Sequence, residues 1–296
     1  MQDGLVESYA AAEIRRQPES WSRAIGLAAG LTATLPAPGE RVAVIGCGTS
    51  WYMAAAYAAL REETGAGETD AFAASQFPEN RNYDRVVAIS RSGTTTEVLR
   101  ALRTARPRTV AITAVGGSPI AELAGEAVVL DFADERSVVQ TVFATTALML
   151  LRASLGADLE PVIQQADAVL GQEFTVELGA QVTFLGDGWA YGVAREAALK
   201  LREAAGVWTE AYPQLEYRHG PIAIAEPGRA VWVFGEPAPG IAADVAATGA
   251  ELIDDALDPV ADLVRAQLLA VAWAHERGLD PDRPRGLTRS IVLPTP

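Results

Sequence analysis

Two stretches decide the fold: Val42–Gly65, VAVIGCGTSWYMAAAYAALREETG, and Val182–Gly206, VTFLGDGWAYGVAREAALKLREAAG. Each reads as a short apolar strand, a G-x-G turn and an Ala-rich helix. They align at an offset of 140 residues, which sets Gly46 and Gly48 against Gly186 and Gly188. In a chain of 296 residues, that offset predicts two related α/β halves.

The flanking sequence extends both copies. After the first, strands are predicted at Arg85–Ser90, Thr109–Thr113 and Ala127–Asp131, with a helix over Thr94–Arg103. Gln140–Leu155 reads as a long apolar helix, packed on the sheet or on a partner chain. The second half shows strands at Val182–Leu185, Val207–Ala211, Ala230–Phe234 and Glu251–Ile253, closed by a helix over Val260–Glu276. Short apolar runs alternating with helices mean parallel sheets covered on both faces. The halves divide near Gly156–Pro161, giving segments 1–158 and 159–279 and a Pro- and Arg-containing tail, 280–296.

Composition narrows the function. The net charge is −14, with 49% hydrophobic and 21% charged residues, a globular rather than disordered balance. The acidic sign argues against nucleic acid or an anionic membrane as partner. Cys47 is the one cysteine, so no internal disulfide forms, and no Cys/His cluster points to a metal. Gly46-x-Gly48 lacks the third glycine of a dinucleotide loop, because Trp51 stands there, and no cofactor is expected. The polar N-terminus is no secretory signal, and no apolar run reaches the ~18 residues of a membrane helix, so the expectation is a cytoplasmic protein.

In doubly wound sheets, ligands sit beyond the carboxyl ends of the strands. Two such loops carry hydroxyls here. One contains Gly48, Thr49 and Ser50; the other is Ser90-Arg91-Ser92-Gly93-Thr94-Thr95-Thr96, with five hydroxyls in seven residues. Small residues, helix N-termini and the Arg91 charge suit a phosphate monoester, and the hydroxyls exceed what helix capping needs.

Of 24 basic residues, 23 are Arg and one is Lys200. Lys200 and Glu203, three apart, share a helix face, and Val193, Ala197, Leu201 and Ala204 are that helix's buried face by spacing. Lys200 also has Glu196 within ion-pair spacing. His219 follows in the turn-rich Leu215–Pro221; the other histidine, His275, ends the last helix. Carboxylate, amine and imidazole make a general acid–base set, suited to sugar ring opening and to proton transfer between adjacent carbons.

Five motifs in order, GCGTS at Gly46, SRSGTTTE at Ser90, ERSVVQT at Glu135, EAALKLREAAGVWTEAY at Glu196 and EYRHGP at Glu216, carry a resemblance over nearly the whole chain. The chain resembles the sugar-isomerase (SIS) domain family. Within it, the similarity is strongest to the tandem-SIS isomerase half of glucosamine-6-phosphate synthase and to amino-sugar-phosphate deaminases. The resemblance implies two tandem SIS subdomains, each a flavodoxin-like three-layer α/β unit, and a hexose or hexosamine 6-phosphate ligand. Ser50, Ser90, Ser92 and Thr95 match the family's phosphate-binding positions. Glu203 matches its proton-transferring carboxylate, Lys200 a lysine near the sugar carbons, and His219 the ring-opening histidine. In relatives that histidine comes from the other subunit, which implies a homodimer with shared sites.

Three departures stand out. Met1-Gln2 leads directly into the first SIS half, so no glutaminase function is expected within this chain. Arg289 replaces the relatives' imine-forming tail lysine, and a guanidinium can clamp an anion but cannot form an imine. Arg91 and Gln140 replace smaller or neutral residues around the ligand. The alternative to an isomerase or deaminase is a non-catalytic sugar-phosphate sensor.

Overall fold

The computed structural model describes residues 8–105, 108–172, 179 and 181–294. The first half runs α1 (Tyr9–Arg15), α2 (Gln17–Ala28), β1 (Val42–Gly46), α3 (Thr49–Glu63), β2 (Thr69–Ala73), β3 (Arg85–Ile89), α4 (Thr96–Thr104), β4 (Arg108–Thr113), α5 (Pro119–Leu123), β5 (Glu126–Val129) and α6 (Val142–Ser154). The second runs α7 (Glu160–Leu170), β6 (Gln181–Gly186), α8 (Trp189–Ala205), β7 (Trp208–Tyr212), β8 (Ala230–Phe234), α9 (Ile241–Thr248), β9 (Glu251–Ile253) and α10 (Pro259–Glu276).

The strands form two parallel sheets, ordered β2-β1-β3-β4-β5 and β7-β6-β8-β9. Both place the repeated strand, β1 or β6, beside the point where strand order reverses. The repeat is borne out in backbone detail: Gly48 has φ/ψ of 55°/−125° and Gly188 of 52°/−128°. The predicted strands fall within one to two residues of those observed. Strand β2 went unread because Thr-Asp-Ala-Phe-Ala is a mixed polar run on a sheet edge, without a buried strand's apolar signature.

Alternation along the strands divides the interior. Val42 and Val44 of β1 join Val182 and Phe184 of β6 in one shared core with α3, α6, α8 and α10. Ala43 and Ile45 face the other way, toward α4 and α5. Leu185, Val231 and Val233 face α9. Helix α6 sits within the shared core, its residues Val142–Arg152 all buried. Helices α3 and α8 meet closely at Gly192, where a Cβ would lie 2.7 Å from the Ala56 nitrogen. That approach sets the first turn of α8 against the middle of α3, and Lys200, farther along α8, reaches Thr49 at the α3 N-terminus.

Candidate active site

The crevice at the strand-order reversal of the first sheet lies beyond β1 and β3. Gly48, Thr49, Thr95, Val138, Gln140 and Glu203 line a cavity of about 170 Å³ there, and Leu287–Ile291 of the tail close it. Its lining of small residues, hydroxyls and one carboxyl group suits a small polar ligand. Larger surface clefts occur elsewhere, one between Phe77 and Ala105, but they lack the hydroxyl loops and the Lys–Glu pair.

Thr49 and Ser50 are buried in the first turn of α3. On the second loop, Ser90 Oγ lies 3.4 Å from Thr95 Oγ1. Ser92 Oγ accepts from the Thr94 amide at 3.3 Å. The tail already engages this loop: Thr94 Oγ1 lies 2.9 Å from Ser290 Oγ, and the Thr96 amide donates to the Ile291 carbonyl at 3.1 Å.

Lys200 crosses from α8 to this crevice. It is 1% exposed, donates to Thr49 Oγ1 at 3.0 Å and to Glu203 Oε2 at 2.5 Å, and lies 3.4 Å from Glu196 Oε1. Burial works against its charge, but the two carboxylates outweigh it and hold its pKa above the ordinary lysine value. Lys200 is therefore an ammonium at neutral pH. Glu196, fully buried, is the carboxyl that burial pushes up, to about 8, against the opposing pull of Lys200. Glu203 is the more open of the pair, its side chain 19% exposed and on the cavity wall.

Arg91 and Arg289 are placed differently from the expectation that they face the ligand. Arg91 is 1% exposed and donates to the carbonyls of Ser137 at 2.9 Å and Val138 at 3.2 Å, with Glu135 at 3.5 Å. The cause is Glu135, a buried carboxylate that accepts from the amides of Thr141, Val142 and Phe143 and draws in a cation. Arg289 lines the cavity, but its guanidinium binds Asp134 and the Glu135 carbonyl. Both arginines thus brace the cavity wall. His219 is exposed at the end of the turn Glu216–His219 and is not among the residues lining the cavity of its own chain.

The structure adds residues that the motifs did not mark as site residues. Val138, Leu287, Thr288, Ser290 and Ile291 line the cavity, and Glu135 organises its wall. Cys47 also lines it, with its thiol pushed up to about 11 by burial and by Glu97, so it stays protonated and unreactive. Trp51 and Tyr52 stack under Arg195 instead, at 4.3 Å from each ring centroid. Among the described residues, no group of three or more His, Cys, Asp or Glu can hold a metal, and no helix is long and apolar enough to cross a membrane.

Comparison with known proteins bears on the fold. Residues 37–155 match the SIS domain. The chain therefore contains an SIS domain. A glutamine–fructose-6-phosphate aminotransferase (isomerizing) of Methanothermobacter thermautotrophicus is 30% identical, across 86% of this chain and 52% of that protein. The chain thus spans about half the length of the curated relatives it matches. Among solved structures, glucosamine-6-phosphate deaminase of Thermotoga maritima superposes with a TM-score of 0.83 at 25% identity, covering 97% of this chain and all of that one. The C-terminal domain of glucosamine-fructose-6-phosphate aminotransferase from Francisella tularensis gives 0.82 at 23% identity, covering 96% of this chain, and speaks for the fold. The tandem SIS architecture expected from the motifs is the one observed.

Proposed function

We propose that this SIS protein is a phosphosugar isomerase or deaminase acting on a hexose or hexosamine 6-phosphate. The observation that carries this reading is that Glu203, gripped by Lys200, lines the same small cavity as Gly48, Thr49 and Thr95. The hydroxyl loops and the N-termini of α3 and α4 take the phosphate. The open-chain sugar then extends toward α8. Glu203 removes the proton from one of C1 and C2, leaving an enediolate, and returns it to the other. The Lys200 ammonium fixes the orientation of Glu203 and stabilises negative charge on the sugar oxygen. In a deaminase the same transfer on a 2-amino sugar yields a C2 imine, which water hydrolyses: its oxygen becomes the C2 ketone and ammonia leaves.

His219 opens the ring, supplied by a second copy of the chain. Its exposure and its place outside the cavity of its own chain support that arrangement. Arg289 keeps the tail over the cavity and forms no imine.

The test is product analysis after mixing the protein with fructose 6-phosphate, with and without ammonium, and with glucosamine 6-phosphate. Conversion of either, with none of unphosphorylated fructose at equal concentration, is the expected result. Binding of the phosphosugars without conversion makes the protein a sensor and contradicts the enzymatic reading.

A further inference from the structure

The cavity wall between Glu135 and Thr141 is an irregular segment. It carries Val138 and Gln140 to the ligand side, yet it belongs to no sheet. Several of its amides have partners from separate parts of the chain. Glu135 takes those of Thr141 at 2.6 Å and Val142 at 2.9 Å. The Asp282 carbonyl takes that of Val138 at 3.0 Å. The remaining two at its start are taken by Glu13: Arg136 donates at 2.5 Å and Ser137 at 3.3 Å.

Glu13 lies on α1, far from the wall in sequence, and is 5% exposed. Helix α1 is itself anchored at both ends. Asp282 accepts from the amides of Tyr9 and Ala10 at 2.8 and 2.7 Å, and Arg16 donates to the Phe132 carbonyl at 3.1 Å.

We propose that Glu13 is a positioning residue for the reaction, which fixes the sugar-facing wall through the amides of Arg136 and Ser137. The inference rests on the reading of this cavity as the phosphosugar site. A buried carboxylate aimed at two amides with a like charge nearby is a costly arrangement for a helix that merely packs. It makes physical sense where the wall must hold one geometry.

The same surroundings make the grip depend on pH. Burial, together with the charge of Glu135, pushes the Glu13 carboxyl up to about 7; the Arg136 and Ser137 amides and Arg16 pull the other way. Because those amides favour the ionised form, the ionised form holds them more tightly. The other charges around it are Arg91, which neutralises Glu135, the Arg136 side chain, which stacks on Tyr9, and Asp282 and Arg289 of the tail. Helix α10, also packed on α1, has His275 and Glu276 at its exposed end.

The experiment is hydrogen exchange of the 135–141 amides in the full chain without ligand, wild type against Glu13→Gln, at pH 8.5 and pH 5.5. At the higher pH the variant amides are expected to exchange about tenfold faster, with β1 amides unchanged. At the lower pH, where Glu13 is protonated, the two proteins converge. In parallel, KM for fructose 6-phosphate at pH 8.5 rises several-fold in the variant while kcat stays within about twofold. Equal protection at pH 8.5, or equal loss of protection in β1, overturns the proposal. If Glu13→Gln does not fold, the wild-type ratio of wall to β1 exchange carries the test, and it must rise as pH falls through about 7. A difference in exchange without fructose 6-phosphate binding in either protein leaves Glu13 as the anchor of the wall and overturns the phosphosugar reading instead.

Discussion

Lys200 Nζ stands 2.5 Å from Glu203 Oε2 on the cavity side and 3.4 Å from Glu196 Oε1 on the buried side. One ammonium therefore joins a carboxyl group that can reach a ligand to one that cannot. Helical spacing produces this, with Glu196, Lys200 and Glu203 on one face of α8, and the close packing of α3 adds Thr49 as a third partner.

Removing the ammonium leaves two acidic groups in a buried site. Lys200→Met is expected to destabilise the protein by about 3–5 kcal/mol and to abolish turnover. Urea unfolding at pH 7.5 measures the first effect. Lys200→Arg is not a rescue, because the larger planar group has no room where Lys200 is 1% exposed.

The buried carboxyl gives a pH signature. Glu196 has a native pKa raised from 4.5 to about 8, so the folded protein holds a proton that the unfolded chain releases in that window. Its contribution to stability falls as pH rises from about 4.5 to 8 and is level above. Wild type is expected to lose more stability between pH 5 and pH 8.5 than Glu196→Gln. Equal slopes in urea titrations of the two would contradict this assignment. Lys200, whose pKa is raised above the lysine value, contributes stability that is lost at higher pH, outside this window.

The two repeated glycines separate strain from binding. Both sit near φ +55°, where an alanine costs about 1–3 kcal/mol. Gly48→Ala and Gly188→Ala should both lower the melting temperature. Only Gly48→Ala is expected also to weaken phosphosugar affinity, at least about tenfold, by tilting the N-terminus of α3 away from the anion. Isothermal titration with fructose 6-phosphate distinguishes them.

Much of this was legible in the sequence. The G-x-G repeat located both strand-order reversals, and the hydroxyl-rich run and the lone lysine fell on the cavity or beside it. What was not legible shares one cause: partners brought together across long stretches of chain. Nothing local to Arg91 shows that Glu135 claims its guanidinium, or that Asp134 claims that of Arg289. The tail residues Leu287–Ile291 have no apolar periodicity to mark them as a cavity wall. Glu13 reads as an ordinary helix residue until the fold sets it against the Arg136 amide.

The reading of His219 as a residue supplied in trans has its own test. Glu203→Gln and His219→Ala homodimers should each be inactive. Unfolded together and refolded as a mixture, they should regain about one quarter of wild-type activity, from the one intact site in each heterodimer. No recovery in a mixture shown to contain heterodimers would place His219 in its own chain's chemistry or outside it.

Everything proposed for this cavity depends on Glu203 carrying a proton between neighbouring sugar carbons. The measurement is proton NMR of fructose 6-phosphate and glucosamine 6-phosphate with the protein in deuterated buffer, wild type against Glu203→Gln. Deuterium is expected at C1 or C2 with wild type and none with the variant, while phosphosugar line broadening persists in both. Exchange that survives in Glu203→Gln, or its absence from wild type despite binding, would contradict that role.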